Sequence, residues 1–369
     1  MKTMKRTNNN LNIKFILGRL LFVLVFGAIN AQEKQTNSAE KYMDVHKVYG
    51  KAVCPIPKDS LKHFVYFSRD RESIKEHMFL SHPRFDGAQI MYSWRQLEPT
   101  RDSYDFSVIK EDIAYLKKNG KSLFIQLQDA TFNTKYKAIP SYLTTEEFNQ
   151  GATLQYNDNN EPEGWVSRRW NESVQNRFAL LLKALGKEFD GIIAGINLQE
   201  TSIGVKQETD KSFSEEAYVE GLKKNMSAMR KAFPESITLI YANFIPGEWL
   251  PFKDMGYLKE IYRYGEEIGV GLGAPDLMPD RKGQLNHALA LMHEGQFSVP
   301  LGIAVQDGNY IGKTGSDLDY EEDLDFGKSN RKNRVPLLHA FAKHFLRVNY
   351  MFWSNQSPYI EEDVLSCYH

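Results

Sequence analysis

The chain has 369 residues, of which 42% are hydrophobic and 25% are charged, and its formal net charge is −1. This composition fits a folded protein with a large hydrophobic core, and the length suits one large domain or two ordinary ones. The even balance of charges argues against a nucleic-acid-binding protein, because such proteins carry basic patches.

The first 31 residues form a leader that is basic and then apolar. The apolar stretch 20–29 is too short to span a bilayer stably, and Ala31 offers a small residue for cleavage. These features predict a secretory signal peptide over residues 1–31. Its removal takes away five basic residues and no acidic one, which changes the formal charge from −1 to −6. We therefore expect a secreted or periplasmic protein that is not held at the membrane once the signal is removed.

Residues 32–62 are polar and predict an irregular lead-in, after which strand-like and helix-like segments alternate. The strand candidates are residues 63–68, 88–92, 122–127, 192–198, 237–242, 270–272, 301–305 and 349–353. The helix candidates are residues 71–80, 107–119, 171–189, 214–233, 257–267, 284–293 and 336–347. Long polar loops are predicted at 129–168 and 308–333.

This alternation predicts a parallel sheet, and the eight strand candidates match the count of a closed (β/α)8 barrel. The fold class is therefore α/β, with a single TIM barrel over residues 63–369. An open doubly wound sheet is the alternative, although the chain lacks the Gly-x-Gly-x-x-Gly turn of its dinucleotide-binding form. A closed barrel would bring its ends together, so Cys54 and Cys367 either form a disulfide or remain two free thiols.

In a (β/α)8 barrel the active site lies at the carboxyl ends of the strands. Carboxylates, amides and aromatic rings dominate the predicted strand ends, and these are the groups that bind sugars through hydroxyl hydrogen bonds and ring stacking. We expect substrate contacts from Trp94, Gln128, Asp129, Gln199, Tyr241, Asn243, Asp276, Gln306 and Trp353. No cofactor and no metal ion is expected, and the expected partner is an oligo- or polysaccharide.

Hydrolysis of a glycosidic bond needs two carboxyl groups, one as the acid and the other as a nucleophile or base. Glu200 and Asp307 are the leading pair, because the ends of the fourth and seventh strands lie opposite each other at the barrel mouth. Asp129 and Asp276 are the alternates. Asp307 precedes a glycine, so a simple turn role is the competing interpretation.

Two motifs resemble a known group of enzymes. W-R-Q-L-E-P at residues 94–99, followed by Y-D-F-S at 104–107, resembles the turn after the second strand of clan A glycoside hydrolases, which include families 42 and 5. The resemblance implies a retaining (β/α)8 glycosidase whose fourth strand ends in Asn-Glu, with the Glu as acid/base. Here Gln199-Glu200 takes that place, and Trp353 matches the clan's aromatic residue on the eighth strand.

The chain departs from the clan at the seventh strand. The clan places a nucleophilic Glu there, whereas this chain has Gln306-Asp307. Asp is one methylene shorter, so the sequence leaves open an Asp nucleophile, an inverting enzyme, and a glycan-binding barrel without catalysis. Glu321 or Glu322 in the following loop could also supply the second acid. A lyase is a weaker alternative, since only Tyr92 and Tyr241 could serve as its base.

Overall fold

The computed structural model describes residues 38–318 and 331–368. The described residues from Tyr42 onward belong to the compact unit that holds the fold. The predicted signal peptide, as well as Glu321 and Glu322, lies outside the described residues. No helix within the described ranges is long and apolar enough to cross a membrane.

The described residues form eleven strands, eight of which close into a parallel barrel in the order β1-β2-β3-β7-β8-β9-β10-β11. The strands are β1 Lys62–Tyr66, β2 Gly87–Ser93, β3 Ser122–Gln128, β4 Ala130–Thr131, β5 Ala152–Tyr156, β6 Pro162–Ser167, β7 Gly195–Leu198, β8 Ile237–Tyr241, β9 Gly271–Ala274, β10 Leu301–Val305 and β11 Tyr350–Ser354. Pairing of β1 with β11 closes the ring. The predicted (β/α)8 fold is confirmed.

Helices follow most barrel strands and cover the outside of the sheet. They are α1 Val45–Tyr49, α2 Trp94–Leu97, α3 Ser107–Lys118, α4 Glu172–Phe189, α5 Glu215–Ala232, α6 Tyr257–Ile268, α7 Lys282–Gln284, α8 Ala290–Glu294 and α9 Val335–Ala340, with π-helical turns at Leu285–Leu289, Phe341–Leu346 and Ile360–Leu365. Side-chain caps begin the two longest: Asn171 accepts from the Val174 N–H, and Ser214 accepts from the Ala217 N–H. These caps satisfy amide groups that the first helical turn leaves without partners.

Two segments differ from the sequence expectation. The predicted helix 71–80 is two 3₁₀ turns, Arg71–Ile74 and Met78–Ser81, because Lys75 is extended and Glu76 has a φ of 59°. The predicted loop 129–168 contains the antiparallel sheet β4-β6-β5. A third difference is in the predicted irregular lead-in, whose described part contains the 3₁₀ turn Ser38–Glu40 and the short helix α1.

Side chains alternate between the two faces of each barrel strand. Phe64, Phe124, Leu239, Ala304 and Phe352 form a cluster together inside the barrel. Their neighbours on the same strands, such as Val65, Ile125 and Trp353, belong to the larger core between the sheet and the helices. This alternation decides which residues at the strand ends can face the barrel mouth.

A disulfide joins Cys54 to Cys367, so the pairing left open by the sequence is made. The Ile56 N–H also donates to the Cys367 carbonyl at 2.7 Å. The disulfide therefore links the lead-in to the last residues of the chain, and the loop that it closes contains all eight barrel strands.

Replacing both cysteines by Ser is expected to lower the free energy of unfolding by roughly 2–5 kcal/mol, because an unfolded chain without this long closed loop has more conformational freedom. Urea unfolding of the variant and of reduced wild-type protein should give matching losses. Equal stability of the oxidised wild-type protein and the variant would contradict this role.

Candidate active site at the barrel mouth

Glu200 lies directly after β7 in a loop that is fixed from several sides. The Gln199 side chain accepts hydrogen bonds from the backbone N–H groups of Asp129 and Ala130, both at 2.9 Å. The Thr201 hydroxyl donates to the Phe244 carbonyl at 2.8 Å, and the Thr201 N–H donates to the Tyr241 carbonyl at 3.0 Å. These bonds on either side of Glu200 fix the backbone of the loop that carries it.

Arg169 is the central support of this loop. Its buried guanidinium forms a bidentate ion pair with Asp129, at 2.7 and 2.8 Å. It also donates to the Glu200 carbonyl at 3.0 Å and to the Tyr218 hydroxyl at 2.9 Å. Tyr218 in turn donates to the Thr201 carbonyl at 2.8 Å. One side chain thus joins the end of β3, the Glu200 loop and helix α5.

The environment of Glu200 favours its protonated form. Burial and, next, the negative charge of Asp276 raise its pKa to about 7. The Asn243 amide donates to Glu200 Oε2 at 2.9 Å and opposes this increase, as does the charge of Arg169. A carboxyl group with a pKa near 7 can donate a proton at neutral pH.

Asp276 follows β9 and is oriented by Asn309, whose amide donates to Asp276 Oδ1 at 3.0 Å. Asn309 is fully buried, and its Oδ1 accepts from the Gln306 N–H at 2.9 Å. Burial raises the pKa of Asp276 as well. Among the charged groups around Glu200, Asp276 has the largest effect on the Glu200 pKa.

Asp307 follows β10, and its Oδ1 accepts a hydrogen bond from the Ser354 hydroxyl at the end of β11. Tyr66, at the end of β1, is affected by both proposed catalytic groups. Burial raises its pKa, and the charges of Asp307 and Glu200 raise it further. Its hydroxyl donates to Gln126 at 3.0 Å. Tyr66 therefore lies within electrostatic range of both carboxyl groups.

The two tryptophans expected to contact sugar are in the core, so those expectations are wrong. Trp353 has no exposed surface, and its Nε1–H donates to His63 Nδ1 at 3.2 Å. Trp94 is also fully buried, donates to Glu98 at 2.8 Å and packs against Phe178. Both side chains belong to the larger core between the sheet and the helices. The 94–99 motif is thus a structural turn.

Three other predicted contacts have structural partners instead. Tyr241 is buried inside the barrel, and its hydroxyl accepts from Gln89 at 3.3 Å. Asp129 is neutralised by Arg169, and the Gln199 carbonyl oxygen is occupied by two backbone amides. As they stand, these three side chains support the site and do not face a ligand.

The remaining predicted residues lie at the mouth. Asn243 contacts Glu200, while Asp276 and Gln306 are half-buried at the ends of β9 and β10. Gln128 Oε1 is buried and has no hydrogen-bond partner among the described residues, so it can accept a bond from a ligand. These four positions remain predictions for substrate contact.

Other residues of the site were not predicted as such. Glu163 on β6 adds a second negative charge, after that of Asp276, that raises the pKa of Glu200, and burial raises the pKa of Glu163 itself. Phe244 and Trp249, in the loop after β8, form a stacked pair beside Asn243. These three residues lie beyond the ends of the barrel strands, in segments where the periodicity of the sequence does not indicate a site. Among the described residues, no group of three or more His, Cys, Asp or Glu side chains could hold a metal ion.

Comparisons with known proteins identify the fold. No family model matches the sequence, and no curated protein matches it, so families 42 and 5 gain no support. The catalytic domain of β-amylase from Paenibacillus polymyxa is similar in structure, with a TM-score of 0.54, 9% identity and coverage of 84% of this chain and 96% of that one.

Two further solved structures are more distant. Endo-glycoceramidase II from Rhodococcus sp. has a TM-score of 0.47 at 9% identity, over 82% of this chain and 76% of that one. A GH10 protein from Paenibacillus barcinonensis has a TM-score of 0.46 at 14% identity, over 83% and 87%. At 9% identity, the similarity to the β-amylase domain shows the barrel fold and no further property.

Proposed function

We propose that this barrel is a secreted glycosidase that hydrolyses glycosidic bonds in an oligo- or polysaccharide, with Glu200 as the general acid. One observation carries the proposal. Glu200 is held at the carboxyl end of β7 by Asn243, in surroundings that raise its pKa to about 7. A protonated carboxyl group at this position suits transfer of a proton to a leaving sugar oxygen.

Asp307 is the proposed second carboxyl group. As Glu200 protonates the glycosidic oxygen and the bond to the anomeric carbon breaks, Asp307 either attacks that carbon or takes a proton from the attacking water. In the first case water then releases the sugar from Asp307 and returns a proton to Glu200. The Ser354 hydroxyl supports this role, because its hydrogen bond orients the carboxylate.

Asp276 is proposed to act through Glu200. Its charge raises the pKa of Glu200, and a higher pKa keeps the acid protonated at neutral pH. The alkaline limb of the pH–activity profile should therefore report the loss of the Glu200 proton, near pH 7.

Comparing Asp276→Asn with Asp307→Asn separates the two roles. Asp276→Asn removes a charge that raises the pKa of Glu200, so the alkaline limb should move to lower pH while the maximal rate changes little. Asp307→Asn should lower kcat by about 10³-fold or more at every pH. Both are measured on the polysaccharide that the wild-type protein cleaves best in a panel of plant and algal polysaccharides, with product analysis.

If instead Asp276→Asn abolishes activity at every pH and Asp307→Asn only shifts the pH profile, Asp276 is the second catalytic carboxyl group. If the wild-type protein binds a polysaccharide of the panel but cleaves none, the barrel is a glycan-binding protein without catalysis, and the proposed hydrolysis is wrong. The absence of a Glu at the seventh barrel strand is the feature that favours this second function.

A further inference from the structure

The loop after β8, residues 244–256, presents an exposed aromatic platform at the barrel mouth. Trp249 is 52% exposed, although a tryptophan of this size normally buries most of its surface. Its indole is nearly parallel to the Phe244 ring, with centroids 5.5 Å apart and planes 12° apart. The indole also lies 4.9 Å from the His287 ring. Phe244 and His287 thus pack against part of the indole, while about half of the Trp249 surface stays exposed.

Hydrogen bonds fix this loop. Trp249 and Lys253 exchange two backbone bonds, at 2.9 and 2.8 Å. His287 Nε2 accepts from the Leu250 N–H at 2.9 Å, while its Nδ1 lies 2.8 Å from the Gly283 carbonyl. The ring therefore carries its proton on Nδ1 and is neutral, in keeping with burial that lowers the His287 pKa to about 4. A platform fixed in advance costs little entropy when a ligand binds.

A small cavity adjoins the platform. Its lining includes Asn243, Phe244, Asp276, Gln284 and His287, and it has room for about one water-sized group. Gln284 Oε1 is buried and has no hydrogen-bond partner among the residues that the structure describes. A buried acceptor without a partner is costly, which is a reason to expect a donor from outside the chain.

The backbone around this cavity is irregular. The π-helical turn Leu285–Leu289 follows Gln284 directly, and His287 has φ −102° and ψ −110°, outside the helical region. Such turns interrupt regular hydrogen bonding and are frequent at functional sites. Here the irregular turn brings His287 against the Trp249 loop and places Gln284 at the cavity.

We infer that Trp249, Phe244 and Gln284 form a sugar-binding subsite beside the carboxyl groups of Glu200 and Asp276. The apolar face of a pyranose ring stacks on the exposed surface of Trp249, and one of its hydroxyl groups enters the cavity and donates to Gln284 Oε1. The flanking carboxylate of Asp276 favours a neutral sugar over an acidic one. The inference rests on the proposed function for its choice of a sugar as the ligand.

Asn243 links this subsite to the proposed chemistry. Its side chain contacts Glu200 at 2.9 Å and also lines the cavity. A sugar on Trp249 would therefore lie next to the unit whose bond is cleaved, so the ligand is an oligosaccharide chain of at least two residues.

Calorimetric titration tests the subsite in the Glu200→Gln background, which blocks turnover. The probes are hexaoses of β-1,4-linked glucose, xylose and mannose and of β-1,3-linked glucose. At least one should bind. Adding Trp249→Ala should weaken its binding about 10- to 100-fold, as expected for loss of a buried aromatic contact, and Trp249→Phe should restore part of it. Adding Gln284→Leu should weaken binding by roughly 3- to 10-fold.

Phe252→Ala is the matched control, because Phe252 is a 66% exposed ring on the same loop that does not line the cavity. This variant should bind within about twofold of its parent. The inference is overturned if no hexaose binds, or if Trp249→Ala binds as tightly as its parent.

Cleavage by the wild-type protein is measured separately. Hexaose cleavage without any effect of Trp249 on binding would reject the subsite and leave the proposed hydrolysis intact. Binding that depends on Trp249, without cleavage of any substrate, would reject the hydrolysis and leave the subsite intact.

Discussion

Replacing Glu200 by Gln is expected to lower kcat on a natural polysaccharide by about 10²- to 10⁴-fold, which is the usual contribution of a positioned general acid. The amide has nearly the same shape but cannot give a proton to the leaving oxygen. An aryl glycoside with an acidic phenol as its leaving group needs less proton donation, so its hydrolysis should suffer much less. This dependence on the leaving group would not arise if Glu200 had only a structural role.

The same substitution should not weaken the fold. A carboxyl group whose pKa is raised on folding binds its proton more tightly in the native state, so wild-type stability falls as pH rises from about 4.5 to about 7 and then levels off. Glu200→Gln removes this loss. Above pH 7 the variant should unfold with a free energy about 1–3 kcal/mol higher than that of the wild type, as measured by urea titration. An active variant, or one destabilised at pH 8, would contradict the assignment.

Replacing Arg169 by Met is expected to lower the free energy of unfolding by about 3–5 kcal/mol, because it leaves the buried Asp129 carboxylate without its partner. The Glu200 carbonyl and the Tyr218 hydroxyl also lose their donor. Activity should fall as well, since the Glu200 loop loses its support. The stability and activity of Arg169→Lys should lie between those of the wild type and of Arg169→Met, because an ammonium group cannot donate to all four acceptors in this planar arrangement.

Arg263→Met is the control for Arg169. Arg263 pairs with Glu267 on the surface of α6, and both side chains are well exposed. Its loss should cost less than about 1 kcal/mol. A similarly small cost for Arg169→Met in the same urea titration would mean that the buried ion pair does not hold the mouth together.

The sequence predicted the barrel because each strand carries a local signal of its own. The segment 301–305 matches β10 residue for residue, and most other barrel strands shift by three residues or fewer at each end. The sequence predicts a role for Glu200 for the same reason, since a buried strand that ends in a carboxyl group is a local pattern. The prediction of a helix over 71–80 is wrong because the conformations of Lys75 and Glu76 depend on contacts outside the segment.

The finer features of the site depend on geometry that one sequence does not encode locally. A shift of one residue decides whether a strand-end side chain faces the mouth or the helices, and Trp353 falls on the outer face. Which carboxyl group acts on Glu200 depends on how the ends of β7 and β9, two strands separated only by β8, are placed at the mouth. Trp249 lies in a loop, where composition does not distinguish a fixed platform from an ordinary exposed residue.

A crystal structure of the Glu200→Gln variant with the hexaose that the wild type cleaves best tests the central claim most directly. We expect a glycosidic oxygen about 2.6–3.2 Å from the side-chain amide at position 200, with Asp307 facing the adjacent anomeric carbon. A sugar chain bound away from position 200, or a glycosidic oxygen beyond hydrogen-bond reach of it, would contradict hydrolysis by this site.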